Sequence, residues 1–455
     1  MISVLLLILL ILCQGITGLG LISLFNIKGK PALMIALWFL AGIAVFSFVP
    51  FLLQLLYVPL TSLAVFSALM LAMLLLNTRY MQNGLLLKQV LRELRFSIRL
   101  YEIPFLLVVA AIVLISVWRC FYMPPTSRDL TSGAEVIAEY AVREKTMLNS
   151  VFTVNLETTN NQFKPPYITS LQIIYKYAGF YFGQIWLSTI FIAFLVFLYQ
   201  ALVQHLHRIL AWALLIVSLA IPEMYAYTFM VLFDYSNAVF FFLSAYFLFD
   251  RKAHNIQLSG LFMGIATYVR SETLILACMM ALYIVWKRKQ LLRNLAWFLL
   301  PAFLFYLLSV TIYINLYLPV PYDVKGLVNP ELLSPASLLK RFIALNDEII
   351  FHHQGVIYYN YIFFIFLALL GSDLVFSRKL NPAARNWLFA VLVVYLGYPI
   401  MGHMLPLLDL HNSTKRGLFK IFPLMLMYMG NSTILIEWSV KLKQWELAPT
   451  SPRIS

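Results

Sequence analysis

Apolar runs of 18 to 25 residues, parted by short polar breaks, recur along this chain from one end to the other. A helix rises about 1.5 Å per residue, so such runs match the roughly 30 Å of hydrocarbon in a bilayer. The pattern predicts an all-α, polytopic membrane protein with about thirteen spans. They cover residues 2–25, 31–56, 59–76, 103–118, 180–202, 209–226, 228–249, 256–269, 273–286, 294–318, 356–376, 387–405 and 418–438. The first run has no basic start and is too long for the apolar part of a signal peptide, so it reads as a helix. Composition then excludes a soluble protein. Of 455 residues, 62% are apolar and 11% charged, against about a quarter charged in soluble chains. No Gly/Ser- or Pro-rich linker divides the chain, and residues 1–455 read as a single membrane domain. Cys13, Cys120 and Cys278 have no paired spacing, which suggests neither a disulfide framework nor a zinc ribbon.

Charge changes the picture by giving the spans a direction. Cytoplasmic loops are rich in Lys and Arg, and placing Lys28 and Lys30 inside makes the remaining loops alternate without conflict. The inner side then holds 20 basic and 6 acidic residues and the outer side 13 of each, so the whole net charge of +14 lies on one face. The basic balance is therefore topology and lipid contact, with no nucleic-acid partner implied. The N-terminus is expected outside and the C-terminus in the cytoplasm. Within segment 79–99, Lys88, Arg92, Arg95 and Arg99 recur at helical spacing among leucines, the pattern of a helix lying on the bilayer.

The outer segments 119–179, 319–355 and 406–417 are long or polar enough to carry chemistry. In the first, Asp129 precedes a helical pattern that begins at Gly133, and it suits either capping that helix or pointing into a cavity. Further on, Lys164-Pro165-Pro166 breaks one helix and starts another, 168–177, expected to lie along the membrane surface. Asp234 falls inside a span beside Ser236 and Asn237. Arg270 and Glu272 separate two spans of about fourteen residues, too short to cross, so their junction is expected below the outer surface, facing a water-filled cavity. Ionisable groups at such depth cost about 2.5–3.5 kcal/mol or more, which marks them as functional candidates. Bland readings stand beside these. Arg270 and Glu272 suit a structural ion pair, Asp234 suits bonding to Ser236 or Asn237, and Lys164 and Arg416 suit interfacial anchoring. Asp409, His411, Lys415, Arg416 and Lys420 crowd the entrance to the last span. His352 and His353 are adjacent and make poor joint ligands, so no metal is expected; a divalent cation has no ligand cluster to support it.

An Asp soon after an early span, a long outer loop with a surface helix, and a Lys-Pro-Pro leading toward the next span resemble the GT-C glycosyltransferases. Within them, the chain looks most like the protein-O-mannosyltransferase and lipid A aminoarabinose transferase branch, which uses polyprenyl-phosphate-linked sugars. Asp234 followed by an apolar run, the small-residue stretch from Gly264 to Arg270, and Lys415-Arg416 with Pro423 resemble further family features. The chain departs from the pattern in three places. Asp129 is followed by Leu130 and not a second acid, Phe163 stands where an acid precedes the Lys-Pro of the aminoarabinose transferases, and about three extra spans precede the first outer loop. The resemblance implies an inverting transfer on the extracytoplasmic side, with Asp129 as general base. It implies Lys164, Arg270 and Arg416 as the donor-phosphate site, with Glu223, Asp234 and Glu272 orienting the acceptor or tuning the base. The implied partners are a polyprenyl-phosphate sugar, an acceptor lipid, glycan or protein, and membrane lipids. No cofactor is implied. Segment 319–355, with a helix over 338–351, would form a lid.

Two rival classes remain. A transporter or flippase of a lipid-linked sugar would show internal repeats, and the first outer loop has no counterpart of similar length in the second half. A polysaccharide polymerase or ligase would gather its basic residues in one late outer loop. The scattered cysteines fit a bacterial inner membrane.

Overall fold

A computed structural model describes residues 2–95, 97–123, 133–153, 164–249, 255–287, 291–318, 335–376, 380–404 and 410–447. These residues form helices and connecting turns, with no strand among them. The first five helices are α1 (Ile2–Ser23), α2 (Pro31–Leu55), α3 (Ser62–Leu76), α4 (Tyr80–Glu93) and α5 (Ile103–Tyr122). Then come α6 (Glu135–Glu144), α7 (Tyr167–Ala178), α8 (Ile185–Leu202), α9 (Arg208–Leu219), α10 (Pro222–Ala226) and α11 (Phe233–Phe249). The chain continues through α12 (Ile256–Val269), α13 (Thr273–Lys287), α14 (Leu291–Tyr306, extended by π-type turns to Tyr317) and α15 (Pro335–Ala344). It closes with α16 (His353–Tyr359), α17 (Ile362–Phe376), α18 (Pro382–Met404), α19 (Lys415–Gly430) and α20 (Thr433–Leu447).

Among the described residues, six helices are long and apolar enough to cross a membrane, or nine if each of three bent pairs counts as one span. The bent pairs are α3 with α4 (87°), α16 with α17 (95°) and α19 with α20 (55°). Helices α9, α11, α12 and α13 are apolar but shorter. The protein is thus an integral membrane protein by the length and composition of its helices. Helix starts follow local chemistry. Pro31 opens α2, where its missing N–H is no loss. Thr61 and Asn255 accept bonds from Ala64 N at 3.1 Å and Leu258 N at 2.9 Å, capping α3 and α12.

Every residue of α11 is buried, as a helix apolar all round requires, and it packs against α12, α18 and α19. Close approach rests on small residues. A Cβ on Gly18 of α1 would stand 1.7 Å from the Trp38 carbonyl oxygen of α2, and one on Gly260 of α12 would stand 2.1 Å from that of Trp297 in α14. Without a hydrophobic force between helices in lipid, such backbone contact supplies the packing energy.

Helix α7 corrects one expectation. It begins at Tyr167, just past Lys164-Pro165-Pro166 as predicted, but all of it except Tyr177 is buried, so it is enclosed by protein and does not lie exposed on a surface. Its polar side is satisfied internally: Gln172 donates to Glu135, Lys176 pairs with Glu135 at 2.5 Å, and Tyr175 donates to Gln14 at 2.5 Å.

The loops gather at two ends. At one, Asn255 donates to Phe25 O at 3.3 Å, Arg208 to Ser97 O at 2.6 Å, and Tyr101 to Glu446 at 2.8 Å. At the other, Leu60 N donates to Lys145 O at 2.7 Å and Tyr317 to Leu55 O at 3.4 Å, while Asn360 donates to Ala220 O at 3.1 Å. Each of these contacts joins segments that the charge pattern assigns to the same side.

Candidate functional site

Four short or interrupted helices bring charge to the second end. Pro222 starts α10 and puts Glu223 in its first turn. Asp234 stands in the first turn of α11, where the helix dipole favours a carboxylate. Helix α12 is 14 residues long, about 21 Å, short of a roughly 30 Å hydrocarbon layer. It stops at Arg270, whose backbone is extended, and α13 restarts at Thr273. Asn237 fixes this break by donating to Ala266 O at 2.6 Å and to Thr273 at 3.0 Å. Helix α19 then supplies Lys415, Arg416 and Lys420 from its first turns.

These side chains meet. Arg270 pairs with both Asp234 and Glu272, so the bland reading of an Arg270–Glu272 pair holds, while Asp234 finds Arg270 in place of Ser236 or Asn237. Glu223 pairs with Lys415 at 3.0 Å, and Lys415 also lies 3.6 Å from the Tyr358 ring centre. Lys420 donates to the Tyr398 hydroxyl at 2.6 Å. Asp234 interacts electrostatically with Arg416, Lys420 and Lys164 as well as Arg270, and Glu223 with Arg416 and Asp234. Lys164 lies over the Phe233 ring at 5.2 Å. Exposure is 3% for Asp234, 7% for Arg270 and Arg416, and 1% for Lys420, so these charges are screened little by solvent.

Among the described residues the cluster therefore holds five cations (Lys164, Arg270, Lys415, Arg416, Lys420) and three carboxylates (Glu223, Asp234, Glu272). A partly buried group of this kind, richer in basic than in acidic side chains, is suited to an anion. One oxygen of Glu223, Oε2, is buried and takes no hydrogen bond among the described residues.

Six of the seven residues singled out from the sequence come together here. The seventh, Asp129, lies outside the described residues, as do Asp409 and the first part of the expected lid, residues 319–334. The flanks of the Asp129 segment are held by Gln184, which donates to Met123 O at 3.2 Å, and Thr169, which donates to Ala134 O at 3.4 Å. The later part of the lid segment forms α15 and π-type turns to Ile350, with Arg341 donating to Thr414 at 3.4 Å, beside the cluster.

Sequence reasoning gave no role to Tyr398, Tyr227 or Lys420. Tyr227 interacts with Asp234, Arg416 and Glu223, and Gly417 leaves room for Tyr398, since a Cβ there would stand 2.0 Å from its ring. Both tyrosines sit in apolar stretches whose periodicity carries no sign of a polar role; only the charge on Lys420 marked it. His352 lies just outside α16 as its cap, accepting from Gln354 N at 3.4 Å, with its ring 3.8 Å from that of His353. No group of three or more His, Cys, Asp or Glu suited to a metal occurs among the described residues. The chain matches no family model, no curated protein and no solved structure.

Proposed function

We propose that this protein is a GT-C-like membrane glycosyltransferase that moves a sugar from a polyprenyl-phosphate donor to an acceptor lipid, glycan or protein. The observation that carries the reading is the convergence of five basic side chains and three carboxylates, four of the eight residues buried, at one end of a membrane helix bundle. A lipid phosphate is an anion that such a place can hold. The reading includes thirteen crossings, an outer N-terminus, a cytoplasmic C-terminus, an extracytoplasmic site and a bacterial inner membrane.

In this mechanism an acceptor hydroxyl or amine attacks the sugar's anomeric carbon. The bond from that carbon to the phosphate oxygen breaks, and the electron pair leaves with the lipid phosphate. The acceptor proton passes to the Asp129 carboxylate. The phosphate gains negative charge as it departs, so an excess of positive charge stabilises the departing group more than the bound donor, which is the condition for catalysis. Arg416, Lys164 and Arg270 contribute this charge, with Arg270 shared by Asp234 and Glu272. Those two carboxylates then hold Arg270 in place, and Glu223, which pairs with Lys415, is assigned to orienting the acceptor.

The test is transfer by protein reconstituted in lipid with labelled polyprenyl-phosphate sugars and a membrane acceptor extract, in parallel with Asp129→Asn. The expected result is label in a new product with the native protein and at least a hundredfold less with the variant. Equal transfer by both would remove Asp129 as base and move that role to Glu223. Absence of transfer from every donor, with protein-dependent passage of intact lipid between leaflets, would replace the enzyme with a transporter.

A further inference from the structure

Tyr398 belongs to α18 and is wholly buried. Its hydroxyl accepts from Lys420 Nζ at 2.6 Å, and Lys420 is buried in turn. Glu272, Arg270 and Asp234 act electrostatically on this hydroxyl, and the same three act on Lys420. Tyrosine and lysine therefore share the surroundings of the ion-paired part of the charged cluster.

Two contacts set the tyrosine in place. A Cβ on Gly417 would stand 2.0 Å from the Tyr398 ring, so the glycine lets the ring lie close against the start of α19. Lys420 Nζ is 5.2 Å from the ring centre but 2.6 Å from the hydroxyl oxygen. The amino group thus sits beyond the hydroxyl and not over the face of the ring.

A phenol hydroxyl accepts through its oxygen and has one proton to give. Lys420 takes up the oxygen, and among the described residues the hydroxyl gives its proton to no acceptor. Glu272 and Asp234, whose charge reaches it, are paired with Arg270. Tyr359, by contrast, gives its proton to the Lys415 carbonyl at 2.8 Å. A buried donor without an acceptor bears the full cost of its desolvation and calls for an explanation. A hydrogen bond received also strengthens the bond given, so Lys420 makes Tyr398 a better donor to an anion.

We infer that Tyr398, held and polarised by Lys420, donates a hydrogen bond to a phosphate oxygen of the ligand that the cluster receives. The inference rests on the proposed function, in which that ligand is a lipid-linked phosphate. It adds an uncharged, directional contact to a set otherwise made of basic side chains.

The test is binding of polyprenyl monophosphate and of uncharged polyprenol to the purified full chain, with Arg416→Gln as the reference variant. Tyr398→Phe keeps the ring and removes the hydroxyl. It should weaken binding of the phosphate by roughly 5- to 10-fold and leave polyprenol unchanged. Lys420→Met should also weaken the phosphate. The double variant should lose less than the product of the two single losses, because Lys420 acts in part through Tyr398. A hydroxyl that serves the fold alone would change both ligands alike or neither, while the unfolding temperature moved, and either result would overturn the inference. Losses that multiply in full would overturn the coupling to Lys420. Weaker phosphate binding in Arg416→Gln but not in Tyr398→Phe would overturn the inference and leave the proposed function standing. Equal binding of phosphate and polyprenol by the native protein would overturn both.

Discussion

At the scale of single residues, the ion pair between Asp234 and Arg270 is the feature most open to test. Both are buried, and removing one member of a buried pair leaves an uncompensated charge, at a cost of about 3–5 kcal/mol. Asp234→Ala should therefore lower the unfolding temperature in detergent below that of the native protein, and Asp234→Leu combined with Arg270→Met and Glu272→Gln, which removes all three linked charges, should recover most of the loss. A single variant as stable as the native protein would contradict the pairing. The sequence marked these residues through cost alone: a charge inside an apolar run needs a reason. It could not name the partners. Asp234 and Arg270 are 36 positions apart, and Glu223 meets Lys415 from the far end of the chain. Tyr398 was hidden because a tyrosine within an apolar span reads as core or interface.

At the scale of helices, the junction of α12 and α14 decides packing. Gly260 lets the two backbones touch, with the Trp297 carbonyl only 2.1 Å from where a Cβ would be, whereas a Cβ on Gly371 of α17 meets nothing within 4 Å. Gly260→Leu should destabilise by roughly 1–3 kcal/mol or more, and Gly371→Leu should leave the unfolding temperature unchanged. Equal effects would remove the contact from the account. Helix positions were largely legible: α12 occupies the predicted 256–269, and α1, α2 and α8 lie within a few residues of their apolar runs. Bends were not. Averaged hydropathy responds to composition and not to axis direction, so α16 with α17 and α19 with α20 read as single straight spans. The break after α9 is set by Pro222 opening a new helix, a cue that an apolar window averages away. Helix α7 misled for another reason. Its polar side resembles one facing water, but Glu135, Trp186 and Gln14 supply its partners.

At the scale of the whole molecule, the distribution of Lys and Arg predicted which loops share a side, and hydrogen bonds join several of the segments assigned to the basic side, 25 with 255, 97 with 208 and 101 with 446. A direct check uses a protein with its three cysteines replaced, carrying one new cysteine at a time. A membrane-impermeant maleimide added to intact cells should label Arg143→Cys and Lys340→Cys but not Lys28→Cys or Lys441→Cys. The reverse pattern would turn the protein over and place the charged cluster on the cytoplasmic side. The central claim is that this cluster receives a lipid-linked phosphate, and binding of polyprenyl monophosphate to purified protein tests it most directly. Charge-assisted contacts contribute about 1.5–3 kcal/mol each, so Arg416→Gln should weaken binding by roughly 10- to 100-fold. The uncharged polyprenol should bind native and variant protein equally poorly. If polyprenol binds as tightly as its phosphate and Arg416→Gln changes neither, the cluster serves the fold alone and the proposed function is wrong.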